Sequence, residues 1–323
     1  MPNIIVTDGR TLNPGDLQWQ PLETLGTVQV YPHTMPEELL PRIAAADIII
    51  VNKTSIHAPI LKELHRLRCI CVSATGYNNV DIITAAYQGI PVCNVSGYGT
   101  AAVAQHVFAL LLEMTNAVAR HDASVRAGNW SQQHDFCYTL QPIIELAGKT
   151  MGIYGLGRIG QQVARIAQAF GMHVLATHKQ PMPKAQPDIT FVDLPTLFQK
   201  SDVITLHSPL TPDNEGIVNK DLLQQMKPSA YLINTARGGL IAETDLYNAL
   251  TTNQLAGAAL DVLSIEPPPA EHPLLHAPNC RITPHNAWAS QDARQRLLDE
   301  TIANVAAFLQ GKPRNVVNTI VNN

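Results

Sequence analysis

Gly155-Leu156-Gly157-Arg158-Ile159-Gly160 stands directly after the apolar run 151–154 and opens an amphipathic run at 158–170. No other feature limits the fold so tightly. Glycines at this spacing between a strand and a helix predict the first turn of a Rossmann βαβ unit. Gly155 permits the tight turn, Gly157 lets the backbone approach a pyrophosphate, and Gly160 lets helix and strand close on each other. The helix start then offers its N–H groups and positive dipole end to phosphates, so the loop, including Leu156, Arg158 and Ile159, is expected to hold a dinucleotide. A strand–turn–helix without a ligand uses the same letters and is the weaker alternative. In NAD sites an acid about 20 residues further on holds the ribose hydroxyls. Here the next strand, 173–177, ends in His178-Lys179 with no carboxylate. A basic pair accepts a ribose 2′-phosphate, which points to NADP(H), used alone or alongside NAD(H); a solvated strand end fits the pair nearly as well.

The rest of the chain repeats the strand–helix alternation. Short β-rich runs occur at 4–7, 28–31, 48–52, 69–73 and 92–94. Thr34 with Glu37 reads as a capping box ahead of Leu39, Leu40 and Ile43, and 79–86 reads as a second helix. A second series has strands at 151–154, 173–176, 203–206, 231–234 and 256–260. Alternation of this kind predicts parallel, doubly wound α/β sheets. At 323 residues the chain suits two domains, given a prior of ~100–200 residues each. Residues 1–100 are expected to form the first part of one domain and 101–289 a nucleotide-binding Rossmann domain. The amphipathic stretch 291–309 suggests that 290–323 returns to the first domain. A cleft between two such domains is where a small ligand is expected.

Composition removes several classes. The net charge is −4, and Lys and Arg are scattered, which leaves no basic field for nucleic acid. Hydrophobic residues at 46% against 15% charged support packed cores. Cys69, Cys71, Cys93, Cys137 and Cys280 form no CxxC pair and match no zinc spacing, so free buried thiols and no metal are expected. The most membrane-like stretch, 101–119, contains Gln105, His106 and Glu113 and reads as one long buried helix. With a strand-like start at Ile4-Ile5-Val6 and no charged leader, the expected compartment is the cytoplasm.

Three later segments place reactive side chains just after strands: Asn234-Thr235-Ala236-Arg237-Gly238-Gly239, Asp261 to Pro267 with Glu266, and Thr283-Pro284-His285. Each alone also fits a surface or turn role. Together they meet the needs of ketone reduction. Negative charge grows on the carbonyl oxygen as hydride arrives at carbon, and His285 is the candidate to protonate it. A carboxylate beside that imidazole favours its protonated form and fixes its orientation, which suits Glu266. A planar guanidinium grips a substrate carboxylate through paired hydrogen bonds, which suits Arg237.

With these motifs in this order, the sequence resembles the D-isomer-specific 2-hydroxyacid dehydrogenases over essentially its whole length. The resemblance implies a flavodoxin-like substrate domain beside the Rossmann domain, and catalytic roles for Arg237, Glu266 and His285. It implies that Ala74, Thr75 and Gly76, ahead of Tyr77, bind the substrate carboxylate through backbone N–H groups. Thr100 would lie near the nicotinamide, His207, Ser208 and Pro209 would line the nucleotide side, and Thr235, Ala236 and Asp261, with His285, would stand at the nicotinamide end. A homodimer using the helix near 101–119 is also implied. The stretches 73–81 and 284–290, with Phe136-Cys137-Tyr138, are similar to the glycerate dehydrogenase or hydroxypyruvate reductase branch. Trp288 stands where many relatives carry small residues; Trp288 and Phe136 also fit plain packing roles. The implied reaction is hydride transfer between NAD(P)H and C2 of a small 2-keto acid, hydroxypyruvate or glyoxylate foremost. Phosphoglycerate or D-lactate oxidation, or an NAD(H)-sensing corepressor on the same fold, are the alternatives.

Overall fold

The computed structural model describes residues 1–177 and 188–319. The chain forms two compact units, one of Met1–Gly99 with Ala289–Asn323 and one of Thr100–Trp288.

The first unit holds five parallel strands: β1 (Asn3–Val6), β2 (Thr27–Val30), β3 (Ile48–Val51), β4 (Cys69–Val72) and β5 (Val92–Cys93), in the order β2-β1-β3-β4-β5. Every residue of β3 and β4 is buried, as expected of parallel strands covered on both faces. One face packs Ile49, Val51 and Ile70 against Leu39, Ile43, Leu61 and Ala85. The other packs Ile48, Ile50, Cys69 and Cys71 against Leu22 and Val305. Val305 belongs to the helix Gln291–Leu309, which the pattern 291–309 had marked. Arg294 of that helix grips the Asp16 carboxylate with two bonds of 2.6 Å, holding the Asp16 carboxyl below its ordinary range.

Two helix starts differ from the sequence reading. Helix Pro36–Ile43 is capped by Met35 and Glu38, whose Oε2 accepts the Met35 N–H. Thr34 instead donates to Thr7 O at 2.5 Å and accepts from Arg42, so a long-range backbone partner displaces the local box. The second helix runs Ile82–Tyr87 rather than from 79, because Asp81 is the N-cap and accepts the N–H groups of Ile83 and Thr84.

The second unit holds seven parallel strands: β6 (Thr150–Tyr154), β7 (His173–Thr177), β8 (Ile189–Phe191), β9 (Val203–Leu206), β10 (Tyr231–Asn234), β11 (Gly257–Leu260) and β12 (Cys280–Ile282). Their order is β12-β11-β10-β9-β6-β7-β8. The direction of winding therefore reverses between β6 and β9, the point at which doubly wound sheets bind ligands. The edge strands β8 and β12 are short and only partly buried, which left them without a readable pattern. The stretch 101–119 is not one helix. Helix Thr100–Asn116 stops at Ala117, which takes a left-handed φ of 48°, and a new helix runs Val118–Arg126. Among the described residues no single helix is long and apolar enough to cross a membrane. All five cysteines are free; Cys69, Cys71 and Cys93 are buried, Cys280 is half-buried, and Cys137, against expectation, is exposed.

Candidate active site

The glycine loop leaves β6 at the winding reversal. Gly155 has φ +98°, and a Cβ there would stand 2.8 Å from Ser208 N and 2.9 Å from His207 C. The loops after β6 and β9 thus touch through bare backbone. A Cβ at Gly160 would stand 2.3 Å from Gly155 O, so the helix Arg158–Ala169 closes on the turn only with glycine there. Gly157 differs. It is exposed, and nothing lies within 4 Å of where its Cβ would be. No side chain caps the helix that follows, and its first turn carries no acid, so the dipole end is left for an anion. Leu156 is buried and half-buried Ile159 packs on the core, while Arg158 is exposed; Leu156 and Ile159 therefore offer a ligand their backbone rather than their side chains.

His207, Ser208 and Pro209 follow β9. The half-buried His207 ring lies with Nε2 2.9 Å from Thr205 Oγ1. Burial pushes its pKa down to about 3, so it is neutral near pH 7. Asn214 Nδ2 donates to Pro209 O at 2.9 Å and fixes this turn. After β10, Asn234 braces the next loop: its Oδ1 accepts Ala236 N–H and its Nδ2 donates to Arg237 O. The Thr235 hydroxyl is buried with no hydrogen-bond partner among the described residues, and a buried polar atom of this kind calls for a ligand. An open Gly157, an uncapped helix start and an orphaned Thr235 hydroxyl together fit a dinucleotide. Thr100 opens the helix Thr100–Asn116 and is half-buried. His178 and Lys179 lie outside the described residues.

Because β10, β11 and β12 are neighbours and parallel, the loops bearing Arg237, Glu266 and His285 leave the sheet at the same edge. Arg237 is exposed, with Nη1 donating to Ala236 O at 2.7 Å. His285 Nδ1 and Glu266 Oε2 are 2.6 Å apart, and Glu266 Oε1 accepts the Leu263 N–H at 3.0 Å. With Nδ1 given to the carboxylate, Nε2 is the ring nitrogen left for proton transfer. His285 takes φ 50°, a conformation that costs a non-glycine residue of order 1–3 kcal/mol. Its N–H is held by Asp261 O at 2.8 Å.

Asp261 is the anchor of that loop. Its buried carboxylate accepts Thr283 Oγ1 at 2.6 Å, Asn286 N at 2.9 Å and Ala287 N at 2.9 Å. His106 Nε2 joins this network 3.0 Å from Thr283 Oγ1. Sequence reasoning had given Asp261 to the nicotinamide end and overlooked His106 and Thr283, whose partners lie far away along the chain.

In the first unit, the loop after β4 shows a matching economy. Val95 N–H takes Ala74 O at 3.1 Å and Asn94 Nδ2 takes Thr75 O at 2.8 Å. Among the described residues no hydrogen bond uses the N–H groups of Ala74, Thr75 or Gly76. The neighbouring loop after β3 is fastened by Asp8, whose carboxylate accepts the N–H groups of Asn52, Lys53 and Thr54.

The family model described as the D-isomer specific 2-hydroxyacid dehydrogenase NAD binding domain matches residues 108–287. The chain belongs to this family. It is an NAD(P)-dependent oxidoreductase, which accounts for the glycine loop. One curated relative, the hydroxypyruvate reductase of Blautia hydrogenotrophica, is 47% identical over 98% of this chain and 99% of its own. The glycerate dehydrogenase of Methylorubrum extorquens is 44% identical over 87% of this chain and 88% of its own. Among solved structures, the NADPH-dependent glyoxylate/hydroxypyruvate reductase of Sinorhizobium meliloti superposes with a TM-score of 0.84 at 28% identity, covering 99% of each chain.

Proposed function

We propose that this 2-hydroxyacid dehydrogenase reduces hydroxypyruvate to D-glycerate, accepts glyoxylate as a second substrate, and works with NADH or NADPH. The observation that carries the reading is the His285–Glu266 pair at 2.6 Å, on the same sheet edge as Arg237. A bound nicotinamide dinucleotide supplies the hydride that C2 receives. His285 Nε2 donates the proton that the C2 oxygen takes up, and Glu266 stabilises and orients the imidazolium. Arg237 polarises the ketone and grips the carboxylate. The unspent N–H groups of Ala74, Thr75 and Gly76 form the second carboxylate contact. The glycine loop, Thr100, Ser208, Thr235 and Ala236 hold the coenzyme, and neutral His207 adds no charge against it.

Relatives named for hydroxypyruvate and glycerate at 47% and 44% identity support the substrate. The absence of an acid at His178-Lys179 supports NADPH as an accepted coenzyme. A homodimer in the cytoplasm completes the reading. The exposed apolar side chains of Val118, Trp130, Phe136 and Ile143 support burial against a second copy. The test is a reductase assay of hydroxypyruvate, glyoxylate and pyruvate with each coenzyme. Hydroxypyruvate should show the highest kcat/KM, and NADPH should support turnover; a preference for pyruvate, or turnover with NADH alone, refutes the corresponding part.

A further inference from the structure

His106 lies on the helix Thr100–Asn116, far along the chain from the proton donor, yet its ring ends beside the turn that carries it. Its Nε2 is 3.0 Å from Thr283 Oγ1 and 3.6 Å from Asp261 Oδ1. The Asp261 carboxylate accepts on both oxygens, from Asn286 N at Oδ1 and Ala287 N at Oδ2, so the Thr283 hydroxyl donates to it, at 2.6 Å. A hydroxyl has one proton to give. The Thr283 oxygen therefore accepts from His106, which places a proton on Nε2. Thr283 follows β12 directly and stands two residues before His285, and its O accepts the His285 N–H at 2.9 Å. The backbone of His285, at φ 50°, is of the kind that persists only where its surroundings over-determine it. Asp261, Thr283 and Glu266 are among those surroundings, and the Thr283 side chain is itself held by Asp261 from one element and by His106 from another.

We propose that His106 is a positioning residue for the proton donor: its Nε2–H holds the Thr283 hydroxyl on Asp261 and so helps to keep the strained turn that presents His285. Removing the imidazole takes away one restraint of several, so the turn loosens without unfolding. A proton donor that samples other orientations transfers its proton more slowly, because general acid catalysis depends on reach and alignment. The role belongs to one N–H group rather than to the bulk of the ring. Glutamine carries an amide N–H near the place of Nε2 and should serve instead; leucine fills the space and offers no donor.

This inference rests on the reading of His285 as the proton donor, and the experiment tells the two apart. The rate of keto-acid reduction in a single turnover is followed by stopped flow in H2O and in D2O, and the Kd for NADH is measured beside it. The variants are His106→Leu, His106→Gln, Thr283→Val, Thr283→Ser, the double variant His106→Leu with Thr283→Val, and His285→Ala. His106→Leu should slow reduction by about 3- to 10-fold, the worth of one hydrogen bond, and Thr283→Val by at least as much. Both should raise the solvent isotope effect, because the slowed step is the transfer of the proton. The Kd for NADH should change little by comparison. His106→Gln and Thr283→Ser, which keep the donor and the hydroxyl, should stay within about twofold of the parent. The double variant should fall no further than Thr283→Val alone, because both changes break one chain of contacts. Should His106→Leu fail to fold, His106→Asn, whose amide stops one carbon short of the Nε2 position, takes its place with the same expected loss. Parent-like rate and isotope effect in His106→Leu, beside lost turnover in His285→Ala, overturn the positioning role alone. So does a His106→Gln as slow as His106→Leu, or a Kd for NADH that rises as far as the rate falls. Near-parental turnover in His285→Ala overturns the reading of His285 and the inference with it.

Discussion

Replacing Gly157 by alanine should separate coenzyme binding from folding, and the geometry says how far. The backbone at Gly157 has φ −75° and ψ −163°, an extended conformation open to any residue, and no protein atom lies within 4 Å of the new methyl group. Folding stability should therefore change by no more than about 0.5 kcal/mol. The methyl does, however, project from the backbone that a pyrophosphate must approach. Losing one charge-assisted hydrogen bond there costs about 1.5–3 kcal/mol, and at about 1.4 kcal/mol per tenfold the Kd for NADH should rise roughly 10- to 150-fold. Gly160→Ala is the counter-example. Its Cβ would meet Gly155 O at 2.3 Å and Ile153 Cγ2 at 3.1 Å. Such overpacking costs about 1–3 kcal/mol, a fall in Tm of roughly 2–12 °C for a unit of this size. The assays are NADH fluorescence titration and thermal melts followed by circular dichroism. Parent-like NADH affinity in Gly157→Ala, or a melt as low as that of Gly160→Ala, refutes the assignment of Gly157 as the open face of the site.

Other variants probe the chemistry and the acid stability. His285→Ala should lower kcat by about 10²- to 10⁴-fold, the usual worth of a general acid, with the Kd for NADH changing little by comparison; stopped-flow reduction and a binding titration check both. Arg237→Lys should raise KM for the keto acid and lower kcat together, because a point charge replaces a planar fork; loss of NADH binding alone would assign Arg237 elsewhere. For Asp202, burial acts to raise the carboxyl, but the Lys227 ammonium at 2.8 Å, the Thr150 N–H at 2.8 Å and Lys149 outweigh it and hold it below its ordinary 3.8. A depressed folded value means stability that is fully present above the unfolded pKa and lost as pH falls through the folded one. Urea unfolding at pH 7 and pH 3 should show this loss in the parent and a smaller one in Asp202→Asn; equal losses would remove Asp202 from the acid response.

What the sequence determined by itself is the set of features whose cause lies within a few residues. The glycine loop between 151–154 and the helix from Arg158 was legible because the turn and the closing of Gly160 on Gly155 are set inside six residues, although the approach of Gly155 to His207 and Ser208 was not. The apolar runs of β3 and β4 and the helix Gln291–Leu309 were legible because burial on two faces or one stripe imposes a local period. The reactive types after β10, β11 and β12 could be named as candidates for the same reason.

Tertiary structure decided everything that depends on which strand ends become neighbours. The cap of helix Pro36–Ile43 fell to Met35 because Thr34 found Thr7 O, 27 residues away. The Glu266–His285 pair spans 19 residues, the Asp261 bonds to the His285 loop span 22 to 26, and the Glu243–Ser264 bond spans 21. A hydrogen bond is directional and only about 3 Å long, so no local pattern encodes such partners. They meet because parallel strands side by side release their loops at one edge of the sheet.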